Sequence, residues 1–206
     1  MNAACGPACS PPACDPKSAR REHVRIAEDG KRRALAGEHR EALERYREAL
    51  RLAVAAAEPE VFFRHYLECA LESLERLGAY AEVLAYCDRA IEHYRATPPR
   101  HELALADLAH VHQRRGIILL KQRDPAGAAA ALSEAARLAG SARCALPLTA
   151  GVLEWLNRGW QVDPERLLAE QERQRYFSVR PGALRPPPAD PISPAAVATA
   201  TALATS

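Results

Sequence analysis

Half of the six cysteines, Cys5, Cys9 and Cys14, fall within ten residues of one another, beside Asp15. Three thiolates and a carboxylate can supply four metal ligands, and an exposed thiol can take part in redox or acyl chemistry. The C-x3-C-x4-C spacing matches no zinc signature, however, and the stretch "MNAACGPACSPPACDP" has no helical period and no way to bury a core. It reads as a flexible arm. His65 and Cys69 share a helix face at i, i+4, half of a metal site without a second half. The seven histidines are scattered through charged helical stretches and read as surface residues, whereas Cys69, Cys87 and Cys144 read as core thiols. No GxGxxG, GxxxxGK[ST], HExxH or GxSxG motif occurs. The expectation is a non-enzymatic chain with no catalytic residue, no metal and no cofactor.

The elements that must position any site are helical. Hydrophobic residues make up 48% of the chain, mostly Ala and Leu, with 5% aromatics and few β-branched residues, a composition that suits packed helices better than a sheet. Ala42, Leu43, Tyr46, Ala49, Leu50, Ala53 and Val54 recur at the three-and-four spacing of one buried face, with Glu41, Glu44, Arg45, Arg47, Glu48 and Arg51 opposite. Similar stripes run from Phe63 to Leu77, Val83 to Tyr94, Leu105 to Leu120 and Ala128 to Leu138. Pro59, the pair Pro98 and Pro99, and Asp124 with Pro125 separate them, Asp124 as a cap and Pro125 in the first turn.

Charge narrows the partners. A net charge of +2 gives no field that argues for nucleic acid, although residues 52–110 hold 10 acids against 5 basic groups. The basic stretch "KSARREHVRIAEDGKRR" is interrupted by Glu22, Glu28 and Asp29 and lacks interleaved aromatics, so it reads as a salt-bridged helix before a nucleic-acid contact. No apolar run is long enough to span a membrane, and the N-terminus lacks the pattern of a secretory signal, which makes the cytoplasm the expected location. Only three of the 28 basic residues are lysines, as expected of a GC-rich, bacterial genome.

Internal similarity supplies the architecture. "GEHREALERYREAL" returns as "GAYAEVLAYCDRAI" and, more loosely, as "RDPAGAAAALSEAA", aligning Gly37, Gly78 and Arg123, then Ala42, Val83 and Ala128, then Ala49, Ala90 and Ala135. Gly30 and Gly116 stand seven residues before two of these turns, where a small residue lets paired helices approach; the second copy has Leu71 there. Repeats of this length mean stacked helix pairs. With Gly30, Gly37, His39, Ala42, Tyr46 and Ala49, the chain resembles the tetratricopeptide repeat family over about Ala19 to Leu138, at a longer period. The expected fold is an all-α solenoid of antiparallel helix pairs with about seven or eight helices. It would occupy residues 17–177, between the arm at 1–16 and a disordered Pro/Ala/Thr-rich tail at 178–206. Leu148, Val152, Leu153, Leu156, Leu167 and Leu168 should let the segment after the last repeat cap the stack.

The resemblance implies recognition of a peptide or partner protein in a concave groove. His65, Glu68, Glu72 and Glu75 lie on one stripe of the helix that would line it, in the acidic middle of the chain, so the partner-binding candidates are these four together with Arg114, and a basic segment is the expected partner. Arg114 alone agrees with the positions by which one branch of the family grips a terminal carboxylate. The functions that follow are a scaffold or adaptor or, alternatively, a sensor regulating a partner enzyme or a thiol or metal protein that uses the cysteine arm. "RPPPADP" reads as a spacer or a ligand for a polyproline-reading module.

Overall fold

The computed structural model describes residues 16–184. These form eight α-helices and one short 3-10 turn, with no strand among the described residues: α1 (Pro16–Leu35), α2 (His39–Ala55), α3 (Glu60–Arg76), α4 (Tyr80–Ala96), α5 (Glu102–Lys121), α6 (Pro125–Ser141), α7 (Pro147–Asn157) and α8 (Pro164–Arg173), then Pro181–Ala183. Each of the first seven helices packs against its neighbours in the chain, building an α-helical solenoid. The cysteine arm and residues 185–206 of the expected tail lie outside the described residues.

The aligned turn positions share one backbone conformation. Gly37, Gly78 and Arg123 have φ of +83°, +74° and +63°. Beyond each, an N–H reaches back five residues: Glu38 to the Arg33 carbonyl, Ala79 to Leu74 and Asp124 to Leu119, all at 2.9 Å. This left-handed closure satisfies carbonyls that a helix end otherwise leaves unpaired. Ala57, Arg143, Gly159 and Arg175 end α2, α6, α7 and α8 in the same way. Only α4 among the described helices stops differently, before Pro98 and Pro99.

Within the pairs, the two early glycines are close-approach sites. A Cβ on Gly30 would meet Tyr46 Cε1 at 2.7 Å, and one on Gly116 would meet Leu132 Cγ at 2.6 Å. Tyr46 and Leu132 are fully buried there, so α1 lies tightly on α2 and α5 on α6. Leu71, which takes the glycine's place in the second copy, is itself buried, and α3 and α4 pack less closely than the other two pairs. At the far end, Leu148 and Val152 of α7 and Leu167 of α8 bury with Ile117 and Leu132. Asp163 caps α8 by accepting the Arg166 N–H at 3.0 Å, as Asp124 caps α6 through Gly127 at 2.9 Å. No helix among the described residues is long and apolar enough to cross a membrane.

The fold runs past Phe177. Val179, assigned from the sequence to a disordered tail, is buried in the core cluster that holds Tyr46, Leu74, Val83 and Ile118. His23 also departs from the surface reading, because it is fully buried and hydrogen-bonded through Nδ1 to the Tyr66 hydroxyl at 2.8 Å.

Candidate functional site

The acidic stripe on α3 is an internal feature of the molecule. Every residue from Cys69 to Glu75 is buried, because α3 is enclosed by its helical neighbours and by the chain segment that follows α8. A helix covered all round is ordinarily apolar, and two carboxylates in such a position need partners. They have them.

Glu75, 2% exposed, accepts Lys121 Nζ at 2.6 Å and Gln171 Nε2 at 2.7 Å on Oε1, and the Tyr176 hydroxyl at 2.9 Å on Oε2. Glu72, 5% exposed, uses Oε2 to accept two successive backbone N–H groups, from Ser178 at 2.9 Å and Val179 at 3.1 Å. Glu68 remains half-exposed and pairs with Arg114, whose Nη1 stands 3.9 Å from Glu75. His65 lies apart from this network, its Nε2 3.9 Å from the Cys69 sulfur. No group of three or more His, Cys, Asp or Glu that could hold a metal occurs among the described residues.

The basic complement expected of a partner is therefore supplied by the chain itself, through Arg114 and Lys121 on α5. Of the candidates, Arg114 is brought together with Glu68 and Glu75. Lys121, Gln171 and Tyr176 to Val179 were not among the candidates, since nothing in a helical period points from α3 to a segment about a hundred residues away. One signal was present: Tyr176 and Phe177 form an aromatic pair in a chain with 5% aromatics, just outside the repeats.

Residues 176–179, the strap, are gripped through side chains at 176 and 177 and through backbone N–H groups at 178 and 179. The Phe177 ring lies under the Arg76 guanidinium, 3.9 Å from ring centre to Cζ, and the Tyr176 ring lies 5.4 Å from Arg114 Cζ. The two rings meet edge to face at 5.1 Å. Phe177 and Val179 are buried, and burial of a side chain of this size contributes roughly 1.5–3 kcal/mol.

Electrostatics reflect the enclosure. Burial pushes the Glu72 carboxyl above the usual carboxylate range, against the opposing pull of the Val179 and Ser178 N–H groups, Arg76 and Arg114. Burial also raises the Tyr176 hydroxyl well above its ordinary value. For Arg114, burial disfavours the charge but Glu68, Tyr176 and Glu75 outweigh it, so the guanidinium is held charged. The Cys69 and Cys87 thiols are buried and pushed up to about 12 by desolvation, which fits core packing. Cys144 is half-buried.

A separate open groove of about 420 Å³ lies among α4, α5 and α6, lined by Asp88, Glu92, Arg95, His112, Arg115 and Glu134 with Ile91 and two alanines. Its charges pair internally, Arg115 with Asp88 at 2.9 Å and Arg95 with Glu92 at 3.3 Å. The strap site has the better-defined geometry. In comparison with known proteins, the chain matches no family model, no curated protein and no solved structure.

Proposed function

We propose that this chain is a non-enzymatic interaction scaffold or adaptor, a divergent relative of the tetratricopeptide repeat proteins, that holds a segment of a partner protein on its α3–α5 face in the cytoplasm. The observation that carries the reading is that this face already holds a segment of irregular polypeptide, residues 176–179, by backbone N–H groups and aromatic anchors. A surface shaped to do this in cis has the chemistry to do it in trans. The shared left-handed turns at Gly37, Gly78 and Arg123 support the kinship. Preference for a basic partner now rests on Glu68, the acid of the α3 stripe that remains half-exposed, along with the rim around His65.

The test is photo-cross-linking in the native host, with the reactive side chain placed at position 65 beside the site or at position 54, an exposed site on α2. A discrete partner captured from position 65 and not from 54 is the expected result. Capture from neither position, or equally from both, would overturn the reading.

A further inference from the structure

We infer that the α3–α5 face recognises partner segments with the pattern of its own strap, an aromatic with a hydroxyl, a second aromatic, any residue but proline, then a β-branched residue, and that residues 176–179 are a resident stand-in that such a segment displaces. The inference rests on the scaffold reading and names the ligand chemistry.

Each position of the pattern has a reader. The first aromatic needs a hydroxyl, because Glu75 Oε2 accepts it at 2.9 Å. The second is read by its ring face, under Arg76. The third and fourth positions present consecutive N–H groups to one oxygen of Glu72, a contact available to any sequence except one with proline at either position. The β-branched side chain then enters the cluster around Tyr46, Leu74, Val83 and Ile118. Backbone contacts supply affinity and the side-chain pockets select.

Two buried atoms mark the resident segment as an imperfect occupant. Arg114 Nη1 is buried and reaches no hydrogen-bond acceptor, and Gln171 Oε1 is buried without a donor. Both lie beside the strap, so an incoming segment with one more acceptor or donor there gains contacts the resident segment lacks.

The test uses the full chain and a fluorescent peptide of residues 174–184, which needs no identified partner and can fail while the cross-linking experiment succeeds. Ser178→Pro removes one of the two N–H donors without touching the buried rings, and Phe177→Ala removes the main anchor; circular dichroism checks that each is folded. Peptide binding to Ser178→Pro at least about ten-fold tighter than to the wild type is expected, with loss of binding when both aromatics of the peptide are alanine. In the wild-type chain, saturating peptide should accelerate hydrogen exchange at the Ser178 and Val179 amides. Equal peptide affinity for wild type and variants, indifference to the alanine peptide, or unchanged exchange at these amides overturns the inference. A Ser178→Pro chain that sediments as a dimer assigns the face to a second copy and overturns it too.

Discussion

The Tyr176 hydroxyl donates to Glu75 Oε2 at 2.9 Å, joining the strap to α3 across 101 residues of chain. A hydrogen bond to a buried carboxylate is worth more than one between neutral groups, because the carboxylate left behind is costly. Tyr176→Phe keeps the ring and deletes this one contact, while Lys121 and Gln171 still serve Glu75. The expected loss is about 1–2 kcal/mol in urea denaturation. An unchanged midpoint would show that the hydroxyl is not engaged.

Turn substitutions should have opposite signs at equivalent positions. Gly78→Ala places a Cβ on a backbone with φ of +74° and is expected to destabilise by about 1 kcal/mol, although nothing lies within 4 Å of the added atom. Arg123→Gly relieves the same strain at φ of +63° and should be neutral or stabilising by up to about 1 kcal/mol, the relief being set against added freedom in the unfolded chain. Thermal melts of the two variants give the comparison directly. A stabilised Gly78→Ala chain would contradict the assigned turn.

Gly116→Ala tests packing, because the new methyl would lie 2.6 Å from Leu132 Cγ and 3.2 Å from the Ala128 carbonyl oxygen. Side chain and backbone both block it, so α5 and α6 must separate, at an expected loss of about 1–3 kcal/mol. The double variant with Leu132→Ala should recover part of that loss relative to additivity, since the cavity and the methyl occupy the same space. Strict additivity of the two changes would mean that the helices do not meet there.

Glu72 gives the chain a pH dependence whose sign follows from its surroundings. Its carboxyl is raised in the folded state, mainly by burial, so the protonated form is favoured there. The stability it contributes is fully present below the unfolded carboxyl's range and is lost as pH rises through the folded value. The groups facing it are Arg76 on α3, Arg114 on α5 and the Ser178 and Val179 N–H groups, all of which moderate the shift without reversing it. Glu72→Gln keeps an acceptor oxygen and does not titrate. Its stability relative to wild type should therefore rise as the pH is raised above the unfolded carboxyl's range, as followed by denaturant titration at each pH. A flat or falling difference would refute the assignment.

Local chemistry was legible in the sequence and distant chemistry was not. Gly30 and Gly116, the turn positions Gly37 and Gly78, the Asp124 cap and the Leu148, Val152 and Leu167 cap of the stack all follow from periods and signals within a few tens of residues. The register aligned Arg123 with Gly37 and Gly78, and it shares their left-handed conformation although its residue type argues against it. The stripe of Glu68, Glu72 and Glu75 was found, but the burial of Glu72 and Glu75 was not, because helical periodicity gives a face and leaves open what covers it. Here the cover is a segment with no period of its own, Tyr176 to Val179, at the edge of a proline-rich stretch that looks like tail.

Repeat arrays whose units touch only their neighbours tend to come apart piece by piece, since losing a terminal unit leaves the others intact. The Glu75 contacts with Gln171 and Tyr176 change that behaviour, because they span 96 and 101 residues and tie the last helix region to the middle of the array. The chain closes on itself like a clasp. Fraying at the C-terminal end cannot proceed without exposing two carboxylates at the centre, so the described helices are expected to melt as one cooperative unit, and at a slower folding rate than their mostly local contacts alone would set.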